Sequence, residues 1–121
     1  MYLEDVAPDG RSRYLTEGGL RLLHRNVDPD PGFEAFGPVH SFATKDALPM
    51  VPGEVATIEI RLNPISVKIV RGHRIRLAIA GADAAIFDRV PASGNPTLTV
   101  ERNSGHASYV ELPILETAVD R

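Results

Sequence analysis

The sequence predicts an all-β fold of the sandwich or jelly-roll kind, and three observations predict it. Apolar residues recur with period two, as they do along a strand with one buried and one wet face. Turn-forming residues cut these runs into short pieces. No window of about eleven residues carries the apolar stripe that an amphipathic helix needs. Spacing alone leaves a small barrel open beside the sandwich.

The elements follow in order. Tyr2 to Val6 is expected as a strand. Pro8-Asp9-Gly10 then forms a turn, because proline presets φ and glycine accepts the left-handed position. Leu20 to Arg25 is a further expected strand, with Leu20 and Leu22 on one face. Between residues 26 and 53 the regularity fails, and prolines 29, 31, 38, 49 and 52 mark a long irregular connection. A short edge strand near Val39 to Ala43 is its expected exception. The clearest strand comes next: Ala56, Ile58, Ile60 and Leu62 alternate with Thr57, Glu59 and Arg61. After Asn63-Pro64, Ile65, Val67 and Ile69 alternate with Ser66 and Lys68. Arg71-Gly72-His73 is short enough to close a hairpin into Ile75, Leu77 and Ile79, with Gly72 at positive φ. Gly94-Asn95-Pro96 and Asn103-Ser104-Gly105 are loops. Between and after them, Leu98 with Val100 and Val110 with Leu112 supply the last expected strands. The reading is one β domain over residues 1–121, without repeats or low-complexity tracts.

Totals narrow the function. The chain has 121 residues, enough for one core. A net charge of −3 with mixed signs offers no basic footprint for nucleic acid. No apolar run approaches the ~20 residues of a membrane span, so neither nucleic acid nor membrane is an expected partner. Zero cysteines exclude disulfides, thiolate catalysis and cysteine zinc sites, and a cytoplasmic setting is expected.

Four stretches, in order, carry a resemblance. They are Asp5-Val6-Ala7-Pro8-Asp9-Gly10-Arg11 with Leu15-Thr16-Glu17-Gly18 and Leu20-Arg21; Gly72-His73-Arg74-Ile75-Arg76-Leu77; Phe87-Asp88-Arg89-Val90-Pro91-Ala92-Ser93-Gly94; and Gly105-His106-Ala107-Ser108-Tyr109-Val110-Glu111-Leu112-Pro113-Ile114. Together they resemble the C-terminal non-catalytic domain of the X-Pro dipeptidyl-peptidase and cocaine-esterase serine hydrolases. Two departures stand out: Ile69 replaces a usual aromatic, and asparagines usual near Val90 and Ala92 are missing. The resemblance implies a jelly-roll-like β-sandwich of the galactose-binding-domain kind, whose first strands would precede Tyr2. It also implies that the Ser-Asp-His triad belongs to a hydrolase domain outside this chain. A sandwich without its opening strands exposes apolar face and unpaired edge. The expected partner is therefore a second copy or a hydrolase chain covering that edge, unless the 26–53 loop folds back over it.

Candidate chemistry is sparse. None of the six serines (12, 41, 66, 93, 104 and 108) sits in a Gly-x-Ser-x-Gly elbow. Ser104, His106 and Ser108, with Glu101 and Glu111 nearby, are the nearest thing to a nucleophilic cluster. Histidines 24, 40, 73 and 106 lie at irregular spacing that suits no metal. His73 is expected to donate to a backbone carbonyl in its hairpin, His24 to be a half-buried strand residue, and His40 an exposed loop residue. Asp88-Arg89 reads as an ion pair pinning its loop, Asp5 and Asp9 as turn caps, and Arg74 and Arg76 as the wet side of a strand. No catalytic, cofactor or metal residue is expected. The functional expectation is an accessory domain of a serine hydrolase, serving packing, assembly and cleft shape. A stand-alone jelly-roll module for carbohydrate or another small ligand is the alternative. An orphaned, inactive gene product is the third reading.

Overall fold

A computed structural model of the chain describes residues 1–115. It forms two compact units, Met1–Ala80 and Gly81–Arg121. The described structure is all-β, with a small antiparallel sheet and no α-helix.

The sheet lies in the first unit and has three strands: β1 (Tyr2–Val6), β2 (Ser12–Glu17) and β3 (Arg74–Ala78). Their order is β2-β1-β3, antiparallel throughout, so β1 is the central strand. β1 and β2 are joined by the turn expected at Pro8-Asp9-Gly10. Gly10 adopts φ 88° and donates its N–H to the Ala7 carbonyl, while the Ala7 N–H reaches the Arg11 carbonyl. β3 arrives from far along the chain through the Val70–His73 turn, where Gly72 takes φ 88° and the His73 N–H bonds Val70.

Opposite residues on adjacent strands share a face. One face therefore carries Leu3 and Asp5 of β1, Arg13 and Thr16 of β2, and Ile75 and Leu77 of β3. The other carries Tyr2, Glu4, Val6, Ser12, Tyr14, Arg74 and Arg76. A bulge at Leu15 puts Thr16 opposite Leu3 and Tyr14 opposite Glu4. The extra residue brings Arg13 and Thr16 to the same side, although one is odd and the other even.

The core of the described residues lies on the first face, and it is small: Leu3 (5% exposed), Asp5 (3%) and Thr16 (3%). The Thr16 hydroxyl donates to the Asn63 carbonyl at 2.7 Å, and the Asn63 N–H bonds the Glu17 carbonyl, which ties the 61–63 stretch to the outer edge of β2. That approach is close enough that a Cβ on Gly18 would run into the Arg61 carbonyl. Ile75, on the same face, is 46% exposed.

Several expected strands are not strands. Leu20 to Arg25 contains instead a turn of 3-10 helix, Leu22–His24. Within 26–53 the regular element is another such turn, Thr44–Asp46, and Val39 to Ala43 forms no edge strand. Residues 56–62, 65–69, 98–100 and 110–112 make no ladder either. Even so, Ala56, Ile58, Ile60 and Leu62 are half-buried while Thr57, Glu59 and Arg61 are exposed. The alternation reports an apolar side correctly; a ladder needs a second backbone opposite as well. In the second unit the described residues form turns. Asp83 accepts the Ile86 and Phe87 N–H groups through its carbonyl, and the Asn103 side chain accepts those of Gly105 and His106.

Candidate functional site

Asp5 is the most buried ionisable group described, and the site is built around it. An aspartate at an inward position of a central strand has no water to solvate its charge, so it must be paired. Both oxygens are paired. Oδ1 accepts from His73 Nδ1 at 2.7 Å and Oδ2 from Arg13 Nη2 at 3.1 Å. Arg13 comes from the adjacent strand β2, and His73 from the turn that delivers β3. The carboxylate thus joins three segments at one end of the sheet. Since a carboxylate oxygen only accepts, the contact places an N–H on His73 Nδ1.

A shallow cleft of about 380 Å³ opens here, lined by Asp5, Arg11, Arg13, Lys68 and His73. Its charges are largely matched: Arg13 pairs with Asp5, and Arg11 Nε pairs with Asp9 at 2.7 Å. Ser12 also borders the cleft, but its hydroxyl accepts from Arg76 Nη2 at 3.0 Å with residues of the opposite sheet face. Among the described residues, the serine bordering this cleft is thus bonded away from the aspartate–imidazole pair. What the pair can do is hold the hairpin, β1 and the start of β3 in register.

On the other face Arg76 Nε donates to Glu4 Oε2 at 2.6 Å. That hydrogen bond holds the Glu4 carboxyl below the usual carboxylate range and raises the Arg76 guanidinium in turn. Tyr2 and Tyr14 meet edge to face beside them, with centroids 6.5 Å apart.

The structure corrects several side-chain expectations. His73 donates to the Asp5 carboxylate instead of a backbone carbonyl, and Asp5 is a buried strand residue, not a turn cap. Asp9 does cap its turn, taking the Arg11 N–H at 3.0 Å. Arg89 pins its loop, but through the Gly94 carbonyl and the Asn95 side chain instead of Asp88. Arg74 and Arg76 both lie on the exposed side of β3 as read, and Arg76 adds an ion pair with Glu4 there. His24 is half-buried in a 3-10 turn against Phe42, and His40 bridges two carbonyls. Ser108 donates to the Glu101 carbonyl at 2.6 Å, and the Asn103 side chain, not a serine, takes the His106 N–H. Among the described residues no three metal-ligating side chains come together, and no helix is long and apolar enough to cross a membrane.

The Asp5–His73–Arg13 cluster was missed by sequence reasoning, although a signal existed. Asp5 follows Leu3 by two, so it shares the apolar face, and a charge at an inward position asks for partners elsewhere in the chain.

Comparison with known proteins gives this arrangement a setting. A protein of Mycobacterium bovis named "Putative serine esterase Mb1866c" is 47% identical over 117 residues, 96% of this chain but 18% of its own length. The counterpart in Mycobacterium tuberculosis, "Putative serine esterase MT1883", matches to the same extent. A "Putative Xaa-Pro dipeptidyl-peptidase" of Streptomyces avermitilis is 37% identical over 62 residues, 51% of this chain and 9% of its own. The chain therefore spans less than a fifth of the length of these relatives. No solved structure matches it. The family model that matches covers residues 1–111, which takes in both Asp5 and His73 as well as all three strands. On that match, the chain belongs to the X-Pro dipeptidyl-peptidase C-terminal non-catalytic domain family.

Proposed function

We propose that this chain is the accessory domain of a serine hydrolase acting on X-Pro peptides or esters, and that it packs against the hydrolase part, aids assembly and shapes the cleft. The observation that carries the reading is the family match over residues 1–111, to a domain described as non-catalytic. The exposed apolar residues of the first unit support it. Val55, Ile65, Val67, Val70 and Ile75 of the first unit are all exposed, a pattern that marks a surface meant to be covered. The covering partner in this proposal is the hydrolase portion, which the length of the relatives leaves room for. Once covered, the sheet and the alternating 56–62 stretch become layers of a jelly-roll sandwich. No residue of this chain is catalytic in this account, and its setting is the cytoplasm.

The test has two parts. The chain alone is expected to leave X-Pro anilides and simple esters unhydrolysed; turnover that survives purification would overturn the reading. Mixed with the hydrolase portion of a relative, it is expected to co-elute as a stable complex. Elution as a homodimer that ignores the hydrolase portion would replace that partner with a second copy.

A further inference from the structure

The imidazole of His40 lies between two backbone carbonyls. Nδ1 is 3.0 Å from the Asn26 oxygen, and Nε2 is 3.0 Å from the Glu59 oxygen. Carbonyl oxygens only accept, so holding both requires an N–H on each ring nitrogen. A neutral imidazole has one N–H and presents a lone pair with the other nitrogen; only the imidazolium has two. We propose that His40 is a proton-operated clasp: protonated, it fastens the start of the 26–53 loop to the 56–62 stretch, and deprotonated it lets one side go.

The surroundings fit a clasp. The Asp28 N–H bonds the Val39 carbonyl at 2.8 Å, so Asn26 and His40 are already brought near by an adjacent backbone bond. Phe42 meets the His40 ring edge to face at 6.0 Å and the His24 ring edge to face at 5.4 Å. Phe42 holds φ 54°, a left-handed conformation that a bulky residue keeps only where its neighbours demand it. The other titratable and charged groups around the clasp are His24 against Phe42; Asp28, Lys45 and Asp46 in the adjoining cleft with Asn26 and Ser41; and Glu59, which contributes one of the two carbonyls. Asp46 is engaged by the Ser41 hydroxyl at 2.6 Å. Histidine is the side chain that gains or loses its second N–H near neutral pH, so the sign follows from the ring alone: the loop is fastened on the acid side and loosens as pH rises. Phe33 and Phe36, both exposed, ride on the segment so released.

Amide hydrogen exchange on the whole chain, corrected for intrinsic rates, tests this. Protection of the Asp28 amide is expected to fall about five-fold from pH 6 to pH 8, the loss of one hydrogen bond. The Ala7 amide in the β1–β2 turn is expected to hold constant. In His40→Gln, which offers no second donor on the opposite side of a ring, protection should be low at both pH values. In His24→Gln the pH dependence should persist. A wild-type profile flat with pH, the same pH dependence in His40→Gln, or an Asp28 amide unprotected at either pH would overturn the clasp.

Discussion

Asp5 shows how one side chain can commit a chain to a register. Its charge is tolerable at 3% exposure because a histidine and an arginine from two other segments reach it. Removing the carboxylate takes the shared acceptor from both donors and leaves the part-buried His73 Nδ1 without its partner. Asp5→Ala is therefore expected to cost about 3 kcal/mol, read as a lower urea midpoint. Gly18 is constrained by space: Gly18→Ala pushes a methyl into the Arg61 backbone and is expected to cost ~1–3 kcal/mol in the same assay. Glu4 predicts a pH effect whose sign can be worked out. Its folded carboxyl is lowered by the Arg76 hydrogen bond, so its contribution is present above the unfolded carboxylate's value. The contribution disappears as pH falls through the lowered folded value. Between pH 5 and pH 3, the wild-type midpoint should fall more steeply than that of Glu4→Gln.

At the scale of elements, what could be read in advance depended on whether a strand's neighbour was local. β1 and the Pro8-Asp9-Gly10 turn were legible because hairpin chemistry lies within a few residues. β3 was legible from Ile75 and Leu77. β2 was not, and the bulge explains why: Leu15 breaks the period of two, so Arg13 and Thr16 face the same way and no alternation survives in Ser12–Glu17. The 56–62 stretch failed in the opposite sense, since its alternation is intact and its ladder missing. Leu20 to Arg25 misled because two leucines spaced by two fit a strand and a 3-10 turn alike. The same contrast governs the site. His73 was legible as a turn residue, but nothing local to it points to a carboxylate at the other end of the sequence. The 56–62 stretch also carries a prediction. On binding the hydrolase portion, the amides of Ile58 and Ile60 should gain protection if a strand is laid against them, and exchange mass spectrometry would register it.

For the whole molecule, the described residues bury a small core and leave many apolar side chains exposed, which makes the proposed hydrolase partner testable. Dye binding to the isolated chain should be strong and should fall when the hydrolase portion is added, because the same apolar surface cannot serve both. The position of β1 has a further consequence, for the order of folding. Asp5 is bonded to one partner 8 residues away and to another 68 residues away. Closing the short span costs little chain entropy and can happen early; the long one must wait until the polypeptide through Gly72 is available. The hairpin would form first with its carboxylate still hydrated on one side, and the docking of β3 would drive out that last water. Folding would then be slow where the sheet looks simplest, and a chain cut before Gly72 should keep its turn but never dry its centre.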